Sequence, residues 1–548
     1  MPSSPPPGTS IVQSTTGRGR CLQATRRFPA GSLIGIFNNP LLALPDGPSM
    51  RTTCNYCLRV GNGHITMKAC TGCKATVYCN AACQRAHWKS GVHKAECKMF
   101  SRIRETTGKE WLPTPVRAVA QILILLQTGD PTMTKAFSST EGLEGNVEGF
   151  KRNKEVWADY ELQAMAAVVY GGLLQSEEMM HKAKEILCKI QTNAFNRLDA
   201  DTGTAGIFLD SVLAMVNHSC VPNAFVGFDK RTAMLRAERD IEVGEEIEIS
   251  YCDYTTPRAA RRETLKLYHF QCNCLRCRDD LDVYQVCAIS PNISLNKFSL
   301  QPNLSKLRNP QIDRSGVSST DVETISRKWH LLSRQDNIDV MQLARQRWSL
   351  CKPLVEAKMF AVEPVPTSIL NFAILCQSDS NKTAYALPLA CFLSTECEPV
   401  KLVAPFLPWR VKGLMMVAKL LGHLGELRAT GELVRSCSHK ALVDILTKSD
   451  QVSMCEAVLR LVVHYGSMGA SDDWDVLREA RDTLGEIESL QGREKESYFL
   501  RTWANDSQDP EGNAFFQNAV LKPINDLAAL TIGIMDSELG DRRSVARR

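Results

Sequence analysis

Residues 54–97 carry four consecutive pairs of metal-ligating side chains: Cys54-x2-Cys57, Cys70-x2-Cys73, Cys79-x3-Cys83 and His93-x3-Cys97. Thiolate and imidazole at these spacings suit zinc, and such closed four-donor sites are structural. The eight donors make two sites. A segment this short buries too little apolar surface to fold alone, so the metal would supply the folding energy. The order of the pairs permits sequential or interleaved pairing. His64 and His87 fall outside the paired spacing and read as non-ligands. A further trio, Cys272, Cys274 and Cys277, has x1 and x2 spacing and is one donor short of a site. Cys220 is the expected fourth. Eleven cysteines and one histidine then provide for three zinc ions, and the other ten of the 21 cysteines read as small apolar residues.

A second concentration of chemistry is Asn217-His218-Ser219-Cys220-Val221-Pro222-Asn223. Amides, imidazole, hydroxyl and thiol packed this densely make poor core, because each buried polar group needs a partner. The stretch is either a loop in water or a site. Downstream, Ile247, Ile249 and Tyr251 alternate with Glu246, Glu248 and Ser250. That is the period of a half-buried strand, with Tyr251 at its apolar end. Alone, Tyr251 would read as a core tyrosine. Upstream, Gly17 and Gly19 flank Arg18, where a backbone could approach a ligand closely. Alone, that pair of glycines marks a plain turn.

These residues need elements to position them. Residues 10–48 read as short strands linked by Gly and Pro turns. Apolar spacing predicts helices over Val116–Ile124, Val156–Leu174 and His181–Ile190, with Thr128–Gly149 as a loop. Two strands should meet at Asp229-Lys230-Arg231. Beyond residue 286 the pattern is helical, with Thr320-x-x-Glu323 as a capping box. Helical spacing continues over Ile338–Leu350, Trp409–Leu424 and Glu432–Leu446, without a clean repeat period.

At 548 residues the chain exceeds one core, and about three to four domains are expected. With 44% hydrophobic and 23% charged residues, composition excludes a disordered chain. The net charge of +5 is unevenly spread: residues 51–100 hold eight Lys or Arg against Glu96 alone, a local +7. That block suits either an acidic peptide or nucleic acid, or a solvated surface. The Pro/Ser-rich start lacks a signal pattern, and the longest aliphatic run, Ile122–Leu126, is far short of the ~20 residues a membrane span needs. An intracellular protein is expected, in nucleus, cytoplasm or both, with reduced cysteines. The terminal Arg542-Arg543 and Arg547-Arg548 read as a solvated tail.

Tyr78-Cys79, Cys83-Gln84, Trp88 and His93-Lys94-x2-Cys97 resemble the MYND zinc finger. The resemblance implies interleaved pairing: Cys54, Cys57, Cys79 and Cys83 on one ion, Cys70, Cys73, His93 and Cys97 on the other. Gly17-Arg18-Gly19, Asn193-Ala194-Phe195, Asn217-His218-Ser219-Cys220-x-Pro222-Asn223, Gly244-Glu245-Glu246, Ser250-Tyr251 and Cys-x-Cys-x2-Cys after Phe270 resemble the motifs of a SET domain, in order. Together they resemble the SET-MYND protein lysine methyltransferases over roughly residues 10–280.

That resemblance implies an α+β chain. A β-rich SET domain (10–48 and 191–255) would hold an inserted MYND finger (49–100) and a helical insert (101–190). A zinc-binding post-SET segment (256–285) and an all-α C-terminal domain (286–548) would follow, after a disordered start (1–9). It also implies transfer of methyl from S-adenosylmethionine to a histone or non-histone lysine. Gly17 and Arg18 would close over the cofactor, and Asn146, Asn193, Asn217 and His218 would hold its polar groups. Phe270 would pack on its adenine. Tyr251 would be the catalytic tyrosine, and Tyr268 would line the lysine channel. A monomer is expected, with a proline-rich peptide at the finger and weak nucleic-acid contact as further partners. The rival expectation is a catalytically weak scaffold that recruits partners through the finger.

Overall fold

The computed structural model describes residues 4–540, apart from 16, 62–64, 139–141, 200–202, 333–338 and 380–381, with backbone alone at 198–199 and 203–204. His64 and the terminal arginine pairs lie outside the described residues. The chain divides into two compact units: residues 1–251 with 265–271, and residues 252–264 with 272–548. Within the stretch expected as the post-SET segment, 256–285, residues 265–271 group with the first unit and the remainder with the second.

In the first unit, β1 (Thr9–Gln13) and β2 (Arg20–Ala24) form an antiparallel ribbon. β3 (Leu33–Phe37) and β4 (Leu42–Leu44) follow, then β5 (Lys68–Ala69) and β6 (Val77–Tyr78), which pair with each other. After a helical stretch come β7 (Phe195–Asp199), β8 (Gly203–Leu209), β9 (Asn217–His218), β10 (Ala224–Asp229), β11 (Thr232–Ala237) and β12 (Glu248–Ile249). The main sheet runs β3-β11-β10-β7-β8-β4, and β9 pairs with β12 in parallel. The β10–β11 hairpin closes with Asp229 opposite Thr232, as the Asp229-Lys230-Arg231 turn predicts. Residues 246–251 keep the expected alternation, with Ile247 and Ile249 buried, yet only Glu248 and Ile249 form a ladder. One buried cluster joins Leu22, Phe28, Phe208, Leu235 and Ile247 beneath this sheet, with Tyr251 packed at its margin.

The helices of this unit are α1 (Ala81–Lys89), α2 (Val92–Thr107), α3 (Thr114–Gln127), α4 (Pro131–Ala136), α5 (Val147–Lys151), α6 (Lys154–Gly171) and α7 (Glu177–Asn193). Two of them, α4 and α5, occupy the stretch expected as loop. Asp130 caps α4 by accepting from the Met133 N–H, with Pro131 at its first turn. That cap-then-proline signal stood in the sequence but was outweighed by Gly, Ser and Thr content. α3 carries Arg117 and Gln121 inward, where both donate to the fully buried Glu96 of α2.

The second unit is helical. Its long members include Pro408–Ala429 and Gln451–Gly469, which pack on each other, and Val340–Glu356. The expected helix over Glu432–Leu446 is two, Glu432–Ser436 and Lys440–Lys448, because His439 caps the second by accepting from the Leu442 N–H. The capping box lies two residues earlier than expected. Ser318 and Asp321 bond reciprocally at the start of Ser319–Leu332, since the shorter aspartate reaches back as well as a glutamate would. No helix among the described residues is long and apolar enough to cross a membrane.

Candidate active site

The Asn217–Asn223 stretch is pinned to the segment around β12 that leads to Tyr251. The Ser219 N–H donates to the Ile249 carbonyl at 2.9 Å, and the Asn223 N–H donates to the Glu248 carbonyl at 3.1 Å. The buried Asn223 amide donates to the Glu246 carbonyl at 2.8 Å, while its oxygen accepts from the Glu248 N–H at 2.7 Å. The Asn223 side chain thus supplies a rung between two segments of the backbone. The N-terminal loop is tied to the same place: the Arg18 guanidinium donates to Glu246 (2.9 Å), Glu248 (2.6 Å) and the His218 carbonyl (3.1 Å). Gly17 and Gly19 both sit at positive φ, +73° and +78°, which lets the loop turn twice around Arg18.

Tyr251 stands at the centre of an aromatic group. Its ring lies 4.8 Å from that of Tyr268, 5.3 Å from His218 and 6.4 Å from Phe270, and Phe270 lies 5.8 Å from His218. The Tyr251 hydroxyl donates to the Val216 carbonyl at 2.7 Å. Burial, then the neighbouring Tyr268, pushes its pKa above the ordinary phenol value. Tyr251 is therefore a neutral phenol whose proton is already committed.

The His218 ring is turned toward Tyr251 and Cys220. Its Nδ1 accepts from the Tyr251 N–H at 3.0 Å, so the neutral ring carries its hydrogen on Nε2, 3.3 Å from the Cys220 Sγ. Both ring nitrogens are spent on ordering Tyr251 and Cys220. Asn217 donates to Glu246 at 2.8 Å and to the Arg20 carbonyl at 3.3 Å. Asn193 donates to the Glu144 carbonyl at 2.6 Å and the Lys189 carbonyl at 2.7 Å, so its amide hydrogens shape the loop that carries Asn146. Asn146 itself is left-handed at φ +44°, a conformation its residue type tolerates, and precedes the first turn of α5 without a side-chain capping bond. Asn146, Glu144, Gly19, Arg20 and Lys189 line a polar cleft of about 680 Å³.

The residues that motif matching missed are the ones that hold this arrangement. His269 is left-handed at φ +58°, and its ring packs edge-on to Phe150 of α5 at 4.4 Å. A Cβ at Gly149 would lie 2.8 Å from the His269 ring. Glycine there lets the segment carrying Tyr268 and Phe270 seat on α5. Nothing in the sequence ties residue 149 to 269.

The finger's donors converge in the interleaved sense. The sulfurs of Cys54, Cys57, Cys79 and Cys83 lie within 4.8 Å of one another, as do the donors of Cys70, Cys73, His93 and Cys97. Cys57–Cys79 and Cys79–Cys83 are 3.6 Å apart, and Cys70–Cys97 is 3.9 Å. A tetrahedral ion with Zn–S of about 2.3 Å needs sulfur–sulfur edges of about 3.8 Å. Both sets could therefore hold zinc, with no open position. His93 points Nε2 at Cys70 (3.3 Å), while its buried Nδ1 lies 3.9 Å from Glu96. His87 is buried, bonds Tyr78 through Nδ1 at 3.1 Å and is pushed down by burial to about 3, so it stays neutral. Cys220 lies in the first unit, and Cys272, Cys274 and Cys277 lie in the second.

The sequence model of the SET domain matches residues 19–252. The chain is 30% identical over 272 residues to "SET domain and MYND-type zinc finger protein 6" of Schizosaccharomyces pombe, covering 50% of this chain and 52% of that protein. It is 28% identical over 268 residues to human "Histone-lysine N-methyltransferase SMYD3", covering 48% of this chain and 60% of that one. Human "N-lysine methyltransferase SMYD2" is 25% identical over 340 residues, covering 61% and 72%. The chain spans 52% and 60% of the first two of these relatives. With a SET-domain match over residues 19–252 and two four-donor clusters set within that span, the chain is similar over about half its length to proteins that carry a SET domain and a MYND-type zinc finger.

Proposed function

We propose that the protein is an S-adenosylmethionine-dependent protein-lysine N-methyltransferase. The observation that carries this reading is the Tyr251 hydroxyl, fixed by the Val216 carbonyl amid the rings of His218, Tyr268 and Phe270. The polar cleft beside Asn146, together with the exposed edge of Phe270, offers both polar and apolar surface to a cofactor that has both. Bound there, S-adenosylmethionine supplies a methyl group on a positively charged sulfur.

Tyr251, with its proton donated to Val216, presents oxygen lone pairs. It can accept a hydrogen bond from a neutral lysine amine and so aim the nitrogen lone pair. It is not a base: its proton is committed and its pKa is raised. The amine must arrive deprotonated, and its desolvation beside Tyr251 and Tyr268 favours the uncharged form. Alignment of this kind is worth about 7–11 kcal/mol of barrier. Arg18, Glu246 and Glu248 hold the loop and the strand in register while this occurs. Zinc in this reading is structural: two ions in the finger, and a third at the Cys272, Cys274 and Cys277 trio.

The substrate is a lysine of a histone or non-histone protein. A proline-rich peptide at the finger, weak nucleic-acid contact by its basic block, a monomeric state and residence in nucleus or cytoplasm belong to the same reading. The test is transfer of labelled methyl from S-adenosylmethionine to proteins of a whole-cell lysate. Wild type should label protein lysine, and Tyr251→Phe should lose at least about 100-fold with an unchanged melting curve. Cofactor binding without transfer would favour the scaffold. Absence of cofactor binding would remove the enzyme reading.

A further inference from the structure

One wall of the polar cleft is the segment 142–146, all of whose residues line it. The segment lies between α4 and α5 and belongs to no helix or strand. Backbone without helical or ladder bonds needs other partners to hold its shape. Arg20 donates to the Gly142 carbonyl, and Asn193 donates to the Glu144 carbonyl at 2.6 Å. The Leu143 N–H reaches back to the Ala136 carbonyl at 2.8 Å. A buried lysine supplies the rest.

Lys189, near the end of α7, is 4% exposed. Its ammonium donates to the Phe137 carbonyl at 3.2 Å and the Ser138 carbonyl at 2.8 Å, and pairs with Glu185 at 3.2 Å. An ammonium carries three hydrogens, so these partners use it up and none is left for a ligand, although Lys189 lines the cleft. Burying a charge is costly unless its hydrogen bonds are filled. An apolar side chain of the same length would avoid that cost, but would leave both carbonyls at the exit of α4 without this donor. The charge serves to fix those carbonyls.

The wall rests on that arrangement at both ends. A Cβ at Gly142 would collide with the carbonyl oxygens of Ser138 and Ala136. A Cβ at Gly145 would lie 3.1 Å from the Lys189 Cγ and 3.7 Å from the Cys188 Cβ. Gly142 thus leans on the Ser138 carbonyl that Lys189 binds, and Gly145 leans on the Lys189 stem. One side chain sets both ends of a wall that finishes at Asn146. We propose that Lys189 is a positioning residue for the cofactor: its ammonium and stem hold residues 142–146 in the shape that S-adenosylmethionine binds. This rests on the methyltransferase reading, which puts the cofactor in this cleft.

The test compares full chains of wild type, Lys189→Met, which keeps the stem and removes the ammonium, and Lys189→Arg, which restores donors. By calorimetry, Lys189→Met should raise the Kd for S-adenosylmethionine about tenfold, and Lys189→Arg should recover most of that loss. In steady-state kinetics the KM for S-adenosylmethionine should rise by about the same factor, while kcat at saturating cofactor and KM for the lysine substrate stay close to wild type. A purely structural role would lower the melting temperature and leave cofactor affinity alone. Amide exchange over residues 143–146, measured without cofactor, should rise in Lys189→Met. If that variant does not fold, Gly145→Ala lifts the wall off the lysine stem with the ammonium intact, and carries the same expectation for affinity and exchange. If wild type binds no S-adenosylmethionine, the methyltransferase reading falls and this proposal with it. If wild type binds it and the variants bind it as tightly, or exchange over residues 143–146 is unchanged, Lys189 is no positioning residue and the methyltransferase reading stands.

Discussion

At the scale of single residues, the site works by committing hydrogen bonds in advance. Tyr251 donates to Val216, His218 orders the Tyr251 backbone, and Arg18 spans two carboxylates and a carbonyl. Because burial raises the Tyr251 pKa above the ordinary value of about 10, the phenol stays protonated through neutral and mildly alkaline pH. The kcat–pH profile should therefore rise with deprotonation of the lysine amine and show no limb from tyrosinate below about pH 10. A tyrosinate limb near neutrality, lost in Tyr251→Phe, would contradict this. Arg18 is partly exposed, so its ion pairs add little stability. Its work is to hold the loop: Arg18→Ala should raise the Kd for S-adenosylmethionine about tenfold, equivalent to about 1.4 kcal/mol, while thermal melting hardly moves.

At the scale of elements, the short helix α5 is the seat on which the Tyr268–Phe270 segment rests. Gly149→Ala places a Cβ 2.8 Å from the His269 ring and 2.7 Å from the Asn146 oxygen, so one of them must move. Overpacking of this kind costs about 1–3 kcal/mol. Steady-state kinetics should show kcat/KM reduced at least tenfold, and His269→Ala in the same chain should restore part of it by vacating the space. Equal loss in single and double variants would mean that α5 does not position the aromatic segment. The sequence revealed α3, α6 and α7 through their apolar period. It did not reveal α4 and α5, which are too short for periodicity; α4 rests on its Asp130 cap, and α5 has no side-chain cap at all.

At the scale of the whole molecule, the finger's clusters are joined to the first unit's core. Cys54, Cys70, Cys73 and Tyr78 share a buried cluster with Phe100, Val119 and Ile122, and Glu96 binds Arg117 and Gln121. Each structural zinc contributes on the order of 10 kcal/mol of folding free energy. Chelation should therefore raise amide hydrogen exchange over residues 54–103 and along α3, and lower the melting temperature. Metal analysis of the intact chain should return close to three zinc ions. Exchange confined to the finger would show that Glu96 and Arg117 do not transmit the loss. What the sequence determined by itself was chemistry carried by short spacings: the paired donors of 54–97, the Asn217–Asn223 stretch and the alternation ending at Tyr251. Local periodicity and ligand spacing are written along the chain, so they survive without coordinates. Only tertiary structure decided that the His218 ring faces inward to Tyr251 and Cys220, that Arg18 anchors the N-terminal loop, and that Gly149 makes room for His269. Each of those depends on which distant segments meet, and on how many hydrogen-bond partners a buried group finds there.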